Sequence, residues 1–319
     1  MKRFVIPAAI LVAAVAFSGC GKKQTASTGT TGAAKAKWVI GMSQCNLAEP
    51  YRVQQNKDIA EEAAKHPEIR VVFKDAQNNS ETQQNQVKEF AQLGVNLLIV
   101  SPKEGRPLTK PVADAYKAGI PVVVLERQLV GDQFTCLISP DNVQIGREAG
   151  KFLVRTLGGK GSIVELKGLM TSSPAQDRHS GFMEGIKGSK LTIVFDADCA
   201  WLEDHARREM NSALARFPQI DAVYGHNDPS AHGAYMAAQQ EGRGREKTIK
   251  FIGIDALPTE GVRYVRGGIL SATFQYQTCG KEAVQAALKI LGGERVPKLI
   301  RLGTRIYTKE NVAKGGEKL

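Results

Sequence analysis

The feature that most constrains this chain is a rhythm. Short, almost wholly apolar runs rich in Val and Ile alternate with longer amphipathic stretches, and the alternation persists from residue 38 to residue 276. The apolar runs fall at 38–43 (WVIGMS), 69–75, 97–101 (LLIVS), 122–125, 135–139, 163–166, 191–195, 222–225, 249–254 and 272–276. Helical stretches lie between most of them, at 51–65, 82–93, 142–157, 177–186, 204–217, 230–241 and 280–291. Strands that read as continuous apolar runs and are joined through helices belong to parallel sheets covered on both faces. The punctuation agrees. Pro50 opens one helix, where a missing N–H costs nothing, and Gly94, Gly119, Gly158 and Gly292 follow helices as C-terminal glycines do. Some ten strands exceed one such sheet, so the expected fold is α/β, with two doubly wound parallel-sheet lobes. Gly158-Gly159-Lys160-Gly161-Ser162 lacks phosphate-loop spacing and reads as a turn before a strand.

The N-terminus fixes an expected compartment. Lys2 and Arg3 precede an apolar run from 4 to 17, too short for a stable membrane span, and Ser18-Gly19-Cys20 follows. This layout is a signal peptide over 1–20, and its end resembles a bacterial lipobox in which Cys20 is lipidated, although Phe17 stands where that pattern usually has Leu. Residues 21–37 (GKKQTASTGTTGAAKAK) contain nothing that could build a core and read as a flexible tether.

Charge and cysteine content narrow the function classes. Net charge is +11, or +9 without Lys2 and Arg3 (11 − 2), with basic and acidic residues interleaved. No arginine-rich stripe with aromatics appears, so nucleic acid is not expected as a partner. Cys45, Cys136, Cys199 and Cys279 show no CxxC spacing. A disulfide is permitted outside the cytoplasm, but buried free thiols are favoured. His66, His179, His205, His226 and His232 are scattered, and no nucleophile elbow or HExxH is present, so neither an enzyme, a cofactor nor a metal is expected. His226 and His232 alone carry a spacing that a metal could use, and it is not diagnostic. A repressor would need a helix-turn-helix where this chain has a leader and tether.

Ligands of open parallel sheets bind beyond the carboxyl ends of the strands. The residues that follow the strands here include Glu49, Tyr51 and Arg52 after the first, Glu126 and Arg127 after the fourth, and Asn227 and Asp228 after 222–225. Asp255 follows 249–254, Gln275 and Tyr276 end the last run, and Arg178 and Trp201 sit at helix starts. Carboxylates accept from paired hydroxyls, guanidinium forks donate, an amide does both, and aromatic rings stack on apolar C–H faces. Together these types suit a polyol. Singly each has a plainer reading: Asp228 and Asp141 as N-caps, Arg178 as a solvated helix residue, Trp201 as packing, Glu126-Arg127 as an exposed ion pair.

The segments DAQNN (75–79), VLER (124–127), SPDN (139–142), AQDRHSGF (175–182), YGHND (224–228) and GIDALP (253–258) resemble, in order, the periplasmic sugar-binding proteins of the ribose/galactose type. The resemblance spans 38–312. It implies the two-lobed type I periplasmic binding fold, with lobes at 38–141 plus 278–302 and 142–277 plus 303–319, crossed near Asp141, Gln277 and Gly303. It also implies a monomer that passes a monosaccharide or similar polyol to an ABC transporter permease, or a sensor module that signals to a membrane receptor instead. Carried over position by position, Glu49, Tyr51 and Arg52 match the first-loop contacts, Glu126 and Arg127 an Asp-Arg pair, and Arg178 the arginine of the second lobe. Trp201 matches a stacking aromatic, Asn227 and Asp255 the amide and carboxylate, and Tyr276 or its neighbour Gln275 the last polar contact. Glu126 in place of Asp, and Tyr51-Arg52 in place of a Phe pair, depart from the ribose pattern. The second change, with the His before Asn227, is similar to galactofuranose-binding members.

Overall fold

A computed structural model describes residues 36–319. Cys20, the leader and almost all of the tether lie outside the described residues.

The N-terminal part of the chain runs β1 (Trp38–Gln44), α1 (Pro50–Ala63), β2 (Ile69–Asp75), α2 (Ser80–Gln92), β3 (Leu97–Ser101), α3 (Gly105–Lys117), β4 (Val122–Leu125) and β5 (Cys136–Pro140). It continues with α4 (Asn142–Thr156), β6 (Lys160–Lys167), α5 (Ser173–Ile186), β7 (Lys190–Asp198), α6 (Glu203–Arg216), β8 (Ala222–Gly225) and α7 (Asp228–Gln240). β9 (Lys250–Asp255), α8 (Gly261–Arg266), β10 (Ala272–Gln275), α9 (Gly280–Leu291), β11 (Leu299–Leu302), β12 (Arg305–Thr308) and β13 (Glu317–Lys318) complete it.

Two sheets result. The first has the order β11-β5-β4-β3-β1-β2 and is parallel throughout; the second is β13-β12-β10-β9-β8-β6-β7, in which only β12 runs against the rest, so that its pairings with β10 and β13 are antiparallel. The sequence-expected α/β fold with two parallel-dominated sheets is therefore what forms. Strand order reverses at β1/β3 in the first sheet and at β6/β8 in the second. At those switch points adjacent loops leave in opposite directions, and a crevice opens beyond the strand ends. The chain passes between sheets three times: after β5, after β10 and after β11.

Burial explains the apolar runs. Every residue of β3, LLIVS, is buried between α2 and α3 on one face and α1 and α9 on the other. Each Ile or Leu so buried contributes roughly 1.5–3 kcal/mol. α4 and α5 touch through backbone: a Cβ on Gly146 would stand 2.2 Å from the Arg178 carbonyl oxygen, and one on Gly181 2.1 Å from that of Val143. Only hydrogen at those positions lets the helix carrying Arg178 sit this close to α4.

Two local readings change. The Gly158–Ser162 turn is shorter than expected, because β6 already starts at Lys160 and the left-handed turn is confined to Gly158 and Gly159. Asp141 does cap α4, accepting from Gln144 N–H at 2.9 Å, but Asp228 caps nothing. The cap of α7 is Asn227, whose Oδ1 accepts from Ser230 N–H at 3.1 Å; Asp228 turns inward and accepts from Ala256 N–H and the Thr273 hydroxyl. Burial pushes its carboxyl up to about 8 against those hydrogen bonds. The four cysteines of the described residues are buried free thiols.

Candidate functional site

The two switch points face one another across a single cavity of about 260 Å³, part of it open to solvent.

From the first sheet's side, Glu49 is the residue before α1, and its Oε1 accepts from Asn46 Nδ2 at 2.7 Å. Pro50 starts the helix and throws Tyr51 and Arg52 inward. Tyr51 donates its hydroxyl hydrogen to the Gln277 carbonyl at 2.9 Å, which ties α1 to the connection after β10. Arg52 is 2% exposed; its Nη1 pairs with Glu126 and donates to the Ser101 hydroxyl, and its Nε lies 3.6 Å from Glu49. Glu126 holds a left-handed backbone (φ 55°) just past β4, which turns its carboxylate toward Arg52 and the Ser101 hydroxyl, a 2.8 Å bond. Arg127 does not pair with Glu126. It is 1% exposed and donates through Nη1 to the Lys103 carbonyl at 2.7 Å. The exposed-ion-pair reading of Glu126-Arg127 is thus wrong: both are buried, and each has a different partner.

From the second sheet's side, Arg178 is buried. Its Nε donates to Asn142 Oδ1 at 2.9 Å and its Nη1 to the His226 carbonyl, and the guanidinium lies over the Tyr276 ring, 4.3 Å from the centroid. Trp201 sits at φ 70° after Ala200 at φ 51°, a left-handed turn that lays the indole on the cavity. Gly168 makes room for that indole, since a Cβ there would be 2.2 Å from the ring. Arg127 and Arg178 approach the ring at 5.6 and 5.3 Å. Asn227 spends its oxygen on the α7 cap and one N–H on the Trp201 carbonyl at 3.0 Å, which leaves one N–H for the cavity. Asp255 (φ 126°) ends β9, and burial pushes its carboxyl well above the usual range although the charge of Arg178 opposes this. Tyr276 accepts from Asn142 Nδ2 at 3.3 Å.

Glu49, Tyr51, Arg52, Glu126 and Arg127 therefore meet Arg178, Trp201, Asn227, Asp255 and Tyr276 around one space. Gln275 does not join them. It faces the adjoining depression toward Gln277 and Lys281, and its carbonyl accepts from the Thr304 hydroxyl at 2.7 Å. Pro174 also lines the cavity and carried no sequence signal beyond its place at the start of α5. His226 and His232 do not share a site, because His226 meets Glu165 and His232 meets Glu203. Among the described residues no cluster of three His, Cys, Asp or Glu could hold a metal, and no helix is long and apolar enough to cross a membrane.

Three wall donors, Arg52 Nε, Arg127 Nε and Trp201 Nε1, are buried and have no hydrogen-bond partner among the described residues. A buried donor left unmatched costs about 1–3 kcal/mol. Acceptor oxygens from a bound molecule would recover that.

Two further hydrogen bonds join the sides at the cavity rim. Thr171 donates to Glu104 Oε1 at 2.7 Å, and Gln128 N–H to the Ser173 hydroxyl at 2.9 Å. Burial works against the Glu104 charge, but Ser80 and Thr171 hydroxyls hold its pKa below the ordinary value.

Residues 40–295 match the periplasmic binding protein domain. The ribose import binding protein of Bacillus subtilis is 32% identical over 278 residues, covering 86% of this chain and 89% of its own. The galactofuranose-binding protein of Escherichia coli is 28% identical over 231 residues, covering 70% and 72%. Among solved structures, the fructose-binding periplasmic domain of a hybrid two-component system superposes with a TM-score of 0.84 at 40% identity, covering 87% of this chain and 93% of that one.

Proposed function

The chain belongs to the periplasmic binding protein domain family, whose relatives are sugar-binding proteins of ABC importers rather than enzymes, and from that premise we propose that it encloses one monosaccharide and delivers it to an ABC transporter permease. The observation that carries this reading is the set of three buried donors without a hydrogen-bond partner among the described residues, Arg52 Nε, Arg127 Nε and Trp201 Nε1, all on residues that line one cavity. The carboxylates of Glu49 and Glu126 supply acceptors for sugar hydroxyls, and the indole of Trp201 supplies a stacking face. The proposed ligand is a five-membered-ring sugar. Ribose, galactofuranose and fructose, the sugars named for the three similar proteins, all form such rings.

The proposed lobes are 38–141 with 278–302 and 142–277 with 303–319, hinged at the three crossings. A sugar that touches both favours the closed form, because only that form makes all its contacts. Cys20 is the proposed lipid anchor, 21–37 the tether and 1–20 the leader. The protein works as a monomer in the periplasm or at the cell surface. A second reading, a sensor module acting on a membrane receptor, is favoured by the 40% identity to the domain of a two-component system.

The test is a thermal-shift screen with D-fructose, D-ribose, D-galactose, L-arabinose, xylitol and myo-inositol. A ligand at 100 times its Kd should stabilise the protein by about 2.7 kcal/mol. No shift with any of the six removes the reading. Sugar uptake by cells lacking the gene separates transport from sensing: uptake is lost in the first case and only the transcriptional response in the second.

A further inference from the structure

Behind the cavity, the second sheet buries a carboxylate that touches none of the cavity space. Glu165 is 0% exposed in the middle of β6. A lone carboxylate there would be costly unless paired and hydrogen-bonded. Two imidazoles meet it: His179 Nδ1 lies 2.9 Å from each of its oxygens, and His226 Nε2 lies 3.0 Å from Oε1. From its own strand Lys167 reaches within 3.8 Å and turns on to Asp196 of β7. Burial opposes the Glu165 charge, but the two histidines hold its pKa down to about 2.

The places of the two histidines matter. His179 directly follows Arg178 on α5, and His226 directly precedes Asn227 at the end of β8. The His226 carbonyl is also the acceptor for Arg178 Nη1, and its ring packs 5.0 Å from Tyr224 and 6.5 Å from Trp201. One carboxylate thus grips, from behind, both segments that present cavity donors. His232 has a similar partner in Glu203, but that pair is partly exposed and touches neither segment.

We propose that Glu165 is a positioning residue for ligand binding, holding Arg178 and Asn227 in place through His179 and His226. The proposal rests on the sugar-site reading above. A carboxylate suits the task because both of its oxygens only accept, so it serves two imidazole N–H groups at once. An amide of the same shape presents N–H to one of them and forces that ring to change tautomer or turn away. Wall groups held before the ligand arrives cost less ordering on binding.

The test is Glu165→Gln, measured by calorimetric titration with whichever sugar of the six-compound panel gives the largest thermal shift, alone and combined with Arg178→Ala. The expected result is a loss of about tenfold in affinity in the native background and under about threefold beside Arg178→Ala, because contacting or networked residues are not additive. His226→Gln, whose amide N–H can still reach Glu165, should keep more affinity than His226→Ala. Unchanged affinity in Glu165→Gln, or an equal loss in both backgrounds, overturns the proposal. Should Glu165→Gln not fold, His179→Ala decides, since it alters only a partly exposed ring: weakened binding supports the proposal and native affinity overturns it. If no panel sugar shifts the melting temperature, or Arg178→Ala binds as the native protein does, the sugar site itself is misplaced and this proposal falls with it. If Arg178→Ala weakens binding and Glu165→Gln does not, only the positioning role fails.

Discussion

Replacing Arg52 by Met should cost far more stability than its single position suggests. Arg52 and Glu126 are 2% and 3% exposed, and the guanidinium joins Glu126, Ser101 and Glu49. Met fills the alkyl part of the site but leaves the Glu126 carboxylate buried, with one hydroxyl as donor and no opposite charge. Breaking one side of a buried pair costs about 3–5 kcal/mol, whereas removing both charges costs much less. Urea unfolding without ligand, followed by circular dichroism at pH 7, should therefore show Arg52→Met destabilised by about 3–5 kcal/mol. The double variant with Glu126→Gln should regain at least about 2 kcal/mol of that. A single-variant loss under about 1 kcal/mol, or a double variant no more stable than the single, would refute the ion-pair account.

Gly168→Ala should push the Trp201 indole off the cavity, since the new methyl would stand 2.2 Å from the ring; sugar affinity should fall at least about tenfold, and a crystal structure with the ring unmoved would count against this. His179 has its pKa raised by the hydrogen bond it donates to Glu165, so the stability that this pair contributes is complete below about pH 6.5 and is lost as pH rises through the folded value. The melting temperature of His179→Gln should therefore approach that of the native protein between pH 6 and pH 8, and a constant gap would contradict the assignment. Thr171→Val removes a rim hydrogen bond between the two sides without touching the cavity; closure should weaken and the ligand's dissociation rate should rise severalfold in stopped-flow measurements. Cys20→Ser should release the protein from membrane fractions, and continued retention would remove the anchor.

Much of this was legible in the chain because its strands are buried on both faces. WVIGMS, LLIVS and VVVL announce themselves as continuous apolar runs, and the sugar-type residues stand directly after them. The misses have physical reasons. LIRL in β11 alternates in burial and is short, so it carries little apolar signal, and β13 is two charged residues held by pairing alone. Asp228 and Asn227 are adjacent and both are good caps; what chooses Asn227 is Thr273 and the Ala256 N–H waiting inside for the Asp228 carboxylate, which are tertiary partners. Gln275 and Tyr276 differ by one residue at a strand end, where a step of one reverses the facing side. The Glu165 grip was invisible because its partners are 14 and 61 positions away.

The sixth strand of the first sheet is the last of its strands to be synthesised. β5 bonds to β4 on one side and to β11 on the other, and β11 is Leu299–Leu302. Synthesis proceeds from the N-terminus, so β1 to β5 are all made long before the strand that seals them. Until then β5, wholly buried in the finished protein, presents a free apolar border of the kind on which chains stick to each other. A premature stop before residue 299 would thus injure the oldest part of the molecule rather than its newest, and a chaperone with a reason to wait would hold this border.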